Sequence, residues 1–498
     1  MSVRVHSGAI VGVDAVPIEV EVDLLRRLPG VCVVGLAAGA VRESAERVRS
    51  AIVAAGLEFP RKRVVVNLAP AGLRKDGAAL DLPIAVGVLA AEGLVPEAGL
   101  EELLFVGELS LAGRTRAVRG AVALAHLARV TGRTLVLPTE MAAQAAAARD
   151  VNVLAADDLG SVIAHLRGER PLPSGAAWEG KARDRLVDLA EVRGQALARR
   201  ALEIAAAGGH HVLLMGPPGC GKSMLARRFP TILPPLHEHE ALDVTRIHGA
   251  AGLLSSDAGL IRERPFRAPH HSVSVAGMVG DRTLRPGEVS LAHQGVLFLD
   301  EATEFSRPAI EVLRGPLEDG VVQLTRAEGT VTYPAEVMLV MAANPCPCGM
   351  RGSATPCRCT DTEVLRYRRK LSGPILDRID LHVELRPVPA DQILGGAPGE
   401  SSADVRDRVV SARRAQAARG QHAVNGRLER AELDRLASPE PEAAKLLGDA
   451  VHRLGLSGRA TTRLLKVART IADLEGAADV APHHVAEALG FRPLAPVD

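Results

Sequence analysis

Three closely spaced glycines followed by a lysine and a hydroxyl are suited to holding a polyphosphate. Gly216-Pro217-Pro218-Gly219-Cys220-Gly221-Lys222-Ser223 has that spacing. The glycines let consecutive backbone N–H groups wrap the phosphates, the lysine reaches the β and γ oxygens, and the serine hydroxyl holds Mg2+. Downstream, Asp300 and Glu301 end a run of apolar residues. Behind a phosphate loop such a pair divides the chemistry: Asp300 completes the Mg2+ shell with Ser223, and Glu301 orients and activates the attacking water. Asn344 ends another apolar run, either to position that water beside the γ-phosphate or to turn the chain ahead of Pro345. Arg378 is either a lone surface arginine or one that a neighbouring subunit supplies to offset charge on the transferring phosphate. Hydrolysis of ATP with Mg2+ is the chemistry these residues share.

A second constellation is Cys346, Cys348, Cys357 and Cys359, a C-x-C-x8-C-x-C array. Four thiolates suffice for one tetrahedral Zn2+, although the spacing within each pair is tighter than the common C-x2-C. The other reading is a reduced surface loop that trails Asn344. Cys220 and Cys32 read as bystanders, and the sixteen histidines show no HExxH grouping.

These groups are useful only at the ends of well-placed elements. Val212 to Met215 reads as a strand before the phosphate loop, and Met224 to Phe229 as the helix after it. Gly295 to Leu299 and Val337 to Ala342 read as strands buried on both faces of a parallel sheet, whose C-terminal ends are where ligands bind. An α/β fold is expected. Residues 1–166 mix short strands (Val31 to Leu36, Val64 to Leu68, Thr134 to Leu137) with Ala-rich helical stretches. Residues 167–187, rich in Gly, Pro and Ser, read as a linker. An ATPase core is expected over 188–390. Residues 391–498 have helical periodicity almost throughout, in Asp404 to Ala418, Pro441 to Leu454, Ala460 to Leu474 and Pro482 to Leu489.

With 498 residues there is room for about two to four domains. Hydrophobic residues at 47% and charged residues at 24% fit a soluble chain with a substantial core. Aromatics at 2% argue against base-stacking platforms. A net charge of +1 gives no overall basic field, which leaves a local patch or a positive pore as the route to nucleic acid. The N-terminus lacks a signal-peptide pattern, and no run approaches the ~18 apolar residues of a membrane span. A cytoplasmic protein with no membrane partner is expected, with thiols or metal ligands in place of disulfides.

In this order the residues resemble the magnesium-chelatase-like AAA+ ATPases, and more narrowly the YifB/ComM family of competence-related proteins. Asp188-Leu189, Val192-Arg-Gly-Gln195, Arg200-Ala-Leu-Glu203 and Arg264-Pro-Phe-Arg-Ala-Pro-His-His271 carry the match. Gly287-Glu-Val-Ser-Leu-Ala-His293, Asn344-Pro-Cys-Pro-Cys-Gly349 and the stretch Arg463 to Leu474 add to it. The resemblance implies an AAA+ P-loop NTPase core with a helical lid, preceded by an α+β Lon-protease-C-terminal-like (ribosomal S5 domain 2-like) domain. It implies Asn344 as sensor 1, Arg378 as a trans-acting arginine finger and Arg459 as sensor 2, with Arg463 as the competing choice. It also implies two insertions that line the pore of ring motors. These are about Arg264 to Gly280, and a hairpin over Val321 to Tyr333 with its tip near Arg326. Arg267, His270, His271 and Arg326 are then candidates for contacting a threaded DNA strand, with surface loops or packing against the next subunit as the alternative.

In the N-terminal domain, Lys75-Asp76-Gly77-Ala78-Ala79, Gly107-Glu108 and Gly113-Arg114 match the Lon-like pattern. The proteolytic serine falls on Ala79 and its lysine on Val122, so a nucleophile and its base are both missing. The function implied is an ATP-dependent hexameric DNA motor, helicase-like or branch-migrating, in DNA integration during natural transformation or related recombination. The alternatives are a chelatase-like ATPase that remodels a protein partner, and a regulatory AAA+ switch.

Overall fold

The computed structural model describes residues 2–34, 39–70, 77–176, 187–254, 259–281, 283–326, 329–353, 355–371, 373–395 and 399–492. The N-terminal region is built from β1 (Val3–Val11), β2 (Asp14–Leu25), β3 (Gly30–Val34), β4 (Arg63–Ala69), β5 (Leu103–Phe105), the short pair β6 (Glu108–Leu109) and β7 (Thr115–Arg116), β8 (Thr134–Pro138) and β9 (Val153–Ala156). Seven of these form one mixed sheet in the order β3-β4-β2-β1-β5-β8-β9. The pairs β1–β2 and β2–β4 are antiparallel and the rest parallel. Alternation sets the faces: Val64, Val66 and Leu68 of β4 are buried while Arg63 is exposed. Residues 171–176, within the stretch expected as a linker, pack against β9. Ala155 donates to the Pro173 carbonyl, Gly175 donates to that of Val153, and Leu172 is buried, so this stretch is an edge of the sheet. Residues 177–186 of that linker, including Trp178, lie outside the described residues.

The second α/β unit carries β10 (Val212–Met215), β11 (Phe266–Arg267), β12 (Val296–Leu299), the hairpin β13 (Val321–Arg326) and β14 (Gly329–Pro334), β15 (Met338–Ala343) and β16 (Leu381–Glu384). Five of them make a parallel sheet in the order β11-β12-β15-β10-β16. All four residues of β12 and all six of β15 are buried, as continuous apolar runs require of a doubly covered sheet. Alternate residues enter two cores. Val212, Leu214, Phe298 and Val340 face one, and Leu213, Leu297, Leu339 and Met341 face the other.

The C-terminal helices Ser402–Ala418, Pro441–Leu454, Gly458–Leu474 and Pro482–Gly490 mostly share the core of this unit, with a small cluster of their own around Leu433 and Leu465. Val405, Val409, Leu464, Val467 and Val485 join the first of those two clusters, around the helix Ala196–Gly208. The N-terminal region also docks on this unit. Val13, at the β1–β2 turn, is buried with Val331 and Tyr333 of the β13–β14 hairpin, and Arg246 donates to the Val13 carbonyl while pairing with Asp14. Among the described residues no helix is long and apolar enough to cross a membrane.

Candidate nucleotide site

The phosphate loop leaves the C-terminal end of β10 and returns as the helix Lys222–Arg228. Gly216 is required by close packing, because a Cβ there would lie 2.6 Å from the Leu385 carbonyl oxygen. Gly219 and Gly221 have φ of +80° and +94°, the left-handed region that glycine adopts without steric cost. Gln195 pins the loop from behind, its amide donating to the carbonyls of Cys220 (3.0 Å) and Arg386 (2.7 Å). Sequence reasoning gave Gln195 no such role, since its partners lie in distant loops.

Lys222 Nζ donates to the carbonyls of Gly216 (2.5 Å) and Pro217 (2.9 Å) and to Oδ1 of Asn344 (3.0 Å). Burial lowers its pKa, opposed by the nearby Cys220, Asp300 and Glu301. Ser223 Oγ donates to Asp300 Oδ2 at 2.6 Å. The hydroxyl and carboxylate that would share a Mg2+ ion are therefore already side by side. The donor set suits it, since Mg2+ prefers hard oxygen ligands and is commonly held by one carboxylate with substrate phosphates. A cleft of about 280 Å3 opens beside the loop, lined by Gly216, Pro217, Pro345, Arg351 and Leu385 among others.

Glu301 is exposed and has φ of +50°, an unfavourable conformation for a glutamate and one found disproportionately at functional sites. Its Oε2 lies 3.9 Å from Nδ1 of His271, and the His271 ring centroid lies 4.0 Å from that of His270, the two rings tilted by 35°. One of the residues expected in a pore thus faces a carboxylate of the candidate site. Arg267 also departs from the expected inserted loop. It belongs to β11 of the central sheet, and its guanidinium makes two 2.7 Å hydrogen bonds to Glu288, so its charge is already neutralised within the chain. The expected hairpin is present as β13–β14. Arg326 ends β13, and its side chain lies outside the described residues.

Arg378 is buried, pairs with Glu318 and donates to the Pro374 carbonyl at 2.6 Å, while its Nε has no hydrogen-bond partner among the described residues. Arg463 is half-buried and 3.8 Å from Asp380, which also accepts from the His211 N–H at 3.2 Å and lies 3.3 Å from His210 Nδ1. Burial acts to raise the Asp380 pKa, but the His210 hydrogen bond and the surrounding His and Arg charges outweigh it and hold the carboxyl at about 2. Arg459 is exposed in the first turn of the helix Gly458–Leu474.

The four cysteines 346, 348, 357 and 359 converge, their sulfurs all lying within 4.8 Å of one another. In the N-terminal region Ala79 and Val122 meet in one apolar cluster. Lys75 and Asp76 lie outside the described residues.

Comparison with known proteins covers nearly all of the chain. Residues 188–393 match the family described as magnesium chelatase, subunit ChlI; residues 20–141 match subunit ChlI of Mg-chelatase; and 399–492 match the ChlI C-terminal family. A Salmonella typhimurium protein called "Uncharacterized protein YifB" is 45% identical over 494 residues, covering 98% of this chain and 96% of that protein. The "Competence protein ComM" of Haemophilus influenzae is 41% identical over 500 residues, covering 98% and 97%. The "Magnesium-chelatase 67 kDa subunit" of Chlorobaculum parvum is 29% identical over 169 residues, covering 32% of this chain and 24% of that protein.

Proposed function

Because the chain belongs to the YifB/ComM family of magnesium-chelatase-like AAA+ proteins, we propose that it is an ATP-driven DNA motor that works as a homo-hexamer in the cytoplasm. The observation that carries the ATPase reading is the pair of contacts Lys222–Asn344 and Ser223–Asp300, which gather the phosphate-binding and metal-binding groups at adjacent strand ends. Mg2+, held by Ser223 and Asp300, supplies charge neutralisation at the phosphates. Lys222 binds the β and γ oxygens, Asn344 positions the attacking water as sensor 1, and Glu301 accepts its proton. Arg378 then acts on the next subunit's nucleotide, which requires docking to draw it off Glu318. Arg459, exposed on the helical lid, is better placed than the Asp380-bound Arg463 to reach nucleotide as sensor 2. The cysteine array adds a Zn2+ site.

The DNA half of the reading is supported by full-length similarity to a protein named for competence, against similarity to a chelatase subunit over about a third of the chain. The β13–β14 hairpin, His270 and Arg326 are the proposed strand contacts, and a Lon-like, non-proteolytic N-terminal domain is seated on that hairpin. The action proposed is helicase-like unwinding or branch migration in transformation or related recombination. The test is ATP turnover with and without forked DNA, together with displacement from forks and three-strand junctions. Stimulation and unwinding are expected. Turnover indifferent to any DNA, with no unwinding by an assembled ring, moves the remodelling of a protein partner ahead, a reading favoured by the chelatase-family match across all three segments. A regulatory switch is the outcome if nucleotide alters only an interaction surface.

A further inference from the structure

We propose that Cys346, Cys348, Cys357 and Cys359 bind one Zn2+ as a tetrathiolate, and that the loop so closed braces Asn344 and the phosphate loop for hydrolysis. The bracing role rests on the ATPase reading; the metal site does not.

The sulfur geometry argues for the metal. Cys346 lies 3.5 Å from Cys348 and 3.6 Å from Cys357, and Cys348 lies 3.6 Å from Cys357. A tetrahedral site with Zn–S bonds of ~2.3 Å has sulfur–sulfur edges of about 3.8 Å. Two cysteine pairs separated by eight residues converge, three sulfurs near that spacing and all four within 4.8 Å, in a segment, 346–359, with no helix or strand among its described residues. The Arg351 N–H donates to Cys346 Sγ at 3.4 Å, which fixes that sulfur's direction within the loop. Soft thiolates select Zn2+ over hard cations, and four of them leave no open position, which marks a structural site.

The loop's surroundings argue for the brace. Its first ligand follows Asn344 by two residues. Gly349, with φ of +77°, presses so close to the phosphate loop that a Cβ there would sit 2.8 Å from Pro218 Cδ. Beyond the last ligand, the helix Asp361–Arg368 returns to the same place, with Asp361 bound to Arg351 at 2.9 Å. Its Tyr367 accepts a 2.6 Å hydrogen bond from Thr303, two residues past Glu301. The loop and the helix tied to it therefore touch the segments that carry Asn344, the phosphate loop and Glu301. Without metal, those contacts hang from a stretch with no helix or strand among its described residues.

The experiment uses the full-length protein purified without added metal. Elemental analysis should give about one Zn2+ per chain, lost in the Cys357→Ser/Cys359→Ser variant. That variant should keep ATP binding within a few-fold while kcat falls roughly tenfold or more, the scale usual for residues that support a site from outside it. To separate this from misfolding, wild-type protein is stripped with a thiol-specific mercurial and chelator, then reloaded with Zn2+ or Co2+. Recovery of kcat, with the visible bands of tetrahedral cobalt tetrathiolate, is expected. Metal-free wild type with full turnover overturns both parts. Bound Zn2+ whose removal leaves kcat unchanged overturns the brace. Bound Zn2+ in a protein that hydrolyses no ATP under any condition overturns the ATPase reading and the brace, while the metal site stands.

Discussion

On the phosphate side of the site, Lys222 meets Asn344 and Ser223 meets Asp300 within a single chain. On the arginine side, Arg378 is drawn onto Glu318, Arg463 onto Asp380, and Arg459 stands exposed. The first set lies at the ends of β10, β12 and β15, where the parallel ladder fixes strand ends relative to one another. The second comes from the loop before β16 and from a C-terminal helix, and within the chain Arg378 and Arg463 are held by Glu318 and Asp380 instead of by groups of the phosphate loop. Binding and turnover should therefore respond differently to assembly, and this contrast can be broken by mutation.

The largest effect is expected at Arg378. Arg378→Ala should retain ATP binding yet lose on the order of a thousandfold or more in turnover. Mixing it with Lys222→Ala subunits should restore part of the activity, because one kind of mixed interface keeps both residues. No rescue in mixed rings confirmed by mass would put Arg378 to work in its own chain and remove the contrast.

The phosphate side should split in a different way. Glu301→Gln should bind ATP and Mg2+ normally and lose about a hundredfold or more in turnover, the range for a general base. Lys222→Ala should lose affinity itself. Binding isotherms beside single-turnover rates check both, and a Glu301→Gln protein with normal turnover would take Glu301 out of its assigned role.

A smaller effect tests the latch. Glu318→Gln removes the charge that holds Arg378 while leaving Arg378 intact. Turnover at protein concentrations below full assembly should rise a few-fold, because less competition opposes docking on the next subunit. A fall that parallels Arg378→Ala would mean that Glu318 presents the arginine and does not restrain it.

Much of this framework is legible in the sequence where local pattern decides. β10 falls on Val212–Met215 because a four-residue apolar run bounded by a glycine loop has few alternatives. The helix Pro441–Leu454 is bounded by a proline in its first turn and by Gly455 in the left-handed region, both readable signals. β2 is harder, since Pro17 and alternating Glu and Val make a half-polar strand resemble a loop. Within the site, Lys222, Ser223 and Asp300 can be brought together on paper because each ends or follows a core strand. The meeting of His271 with Glu301 cannot, and neither can that of Arg378 with Glu318. His271, Glu301 and Arg378 lie in turns and Glu318 on the short helix Arg314–Asp319, and tertiary packing sets how these segments meet, so the sequence leaves His271 between a pore contact and a surface loop, and Arg378 between a lone surface arginine and one supplied to a neighbouring subunit.

The mildest perturbation is acid, and it reaches the phosphate side through β15. His211 and His293 are each held neutral down to about pH 4, burial being the main cause and the nearby Arg427 adding to it. Arg463 and His210 also lower His211, Asp380 opposes them, and Arg264 acts with Arg427 on His293. His382, on β16, is lowered to about 4 in the same way. In the unfolded chain these rings titrate near 6.5. Between about pH 6.5 and 4 the unfolded state therefore binds more protons than the folded one, so stability is complete above that window and declines as pH falls through it. The Asp380 contribution, with a folded value of about 2, is lost only at much lower pH. His211 Nδ1 accepts from the Leu339 N–H at 3.0 Å, and His293 Nδ1 accepts from the Glu336 N–H at 3.0 Å. Protonation would replace each acceptor with a donor facing a donor, at the start of the strand that ends beside Asn344. Thermal unfolding midpoints measured from pH 7.5 to 4.5 should fall steadily below about 6.5. His293→Gln, which can still accept that hydrogen bond but does not titrate, should flatten part of the slope. A midpoint constant across the window would show that these rings are solvated in the folded protein and that β15 is anchored by its ladder alone.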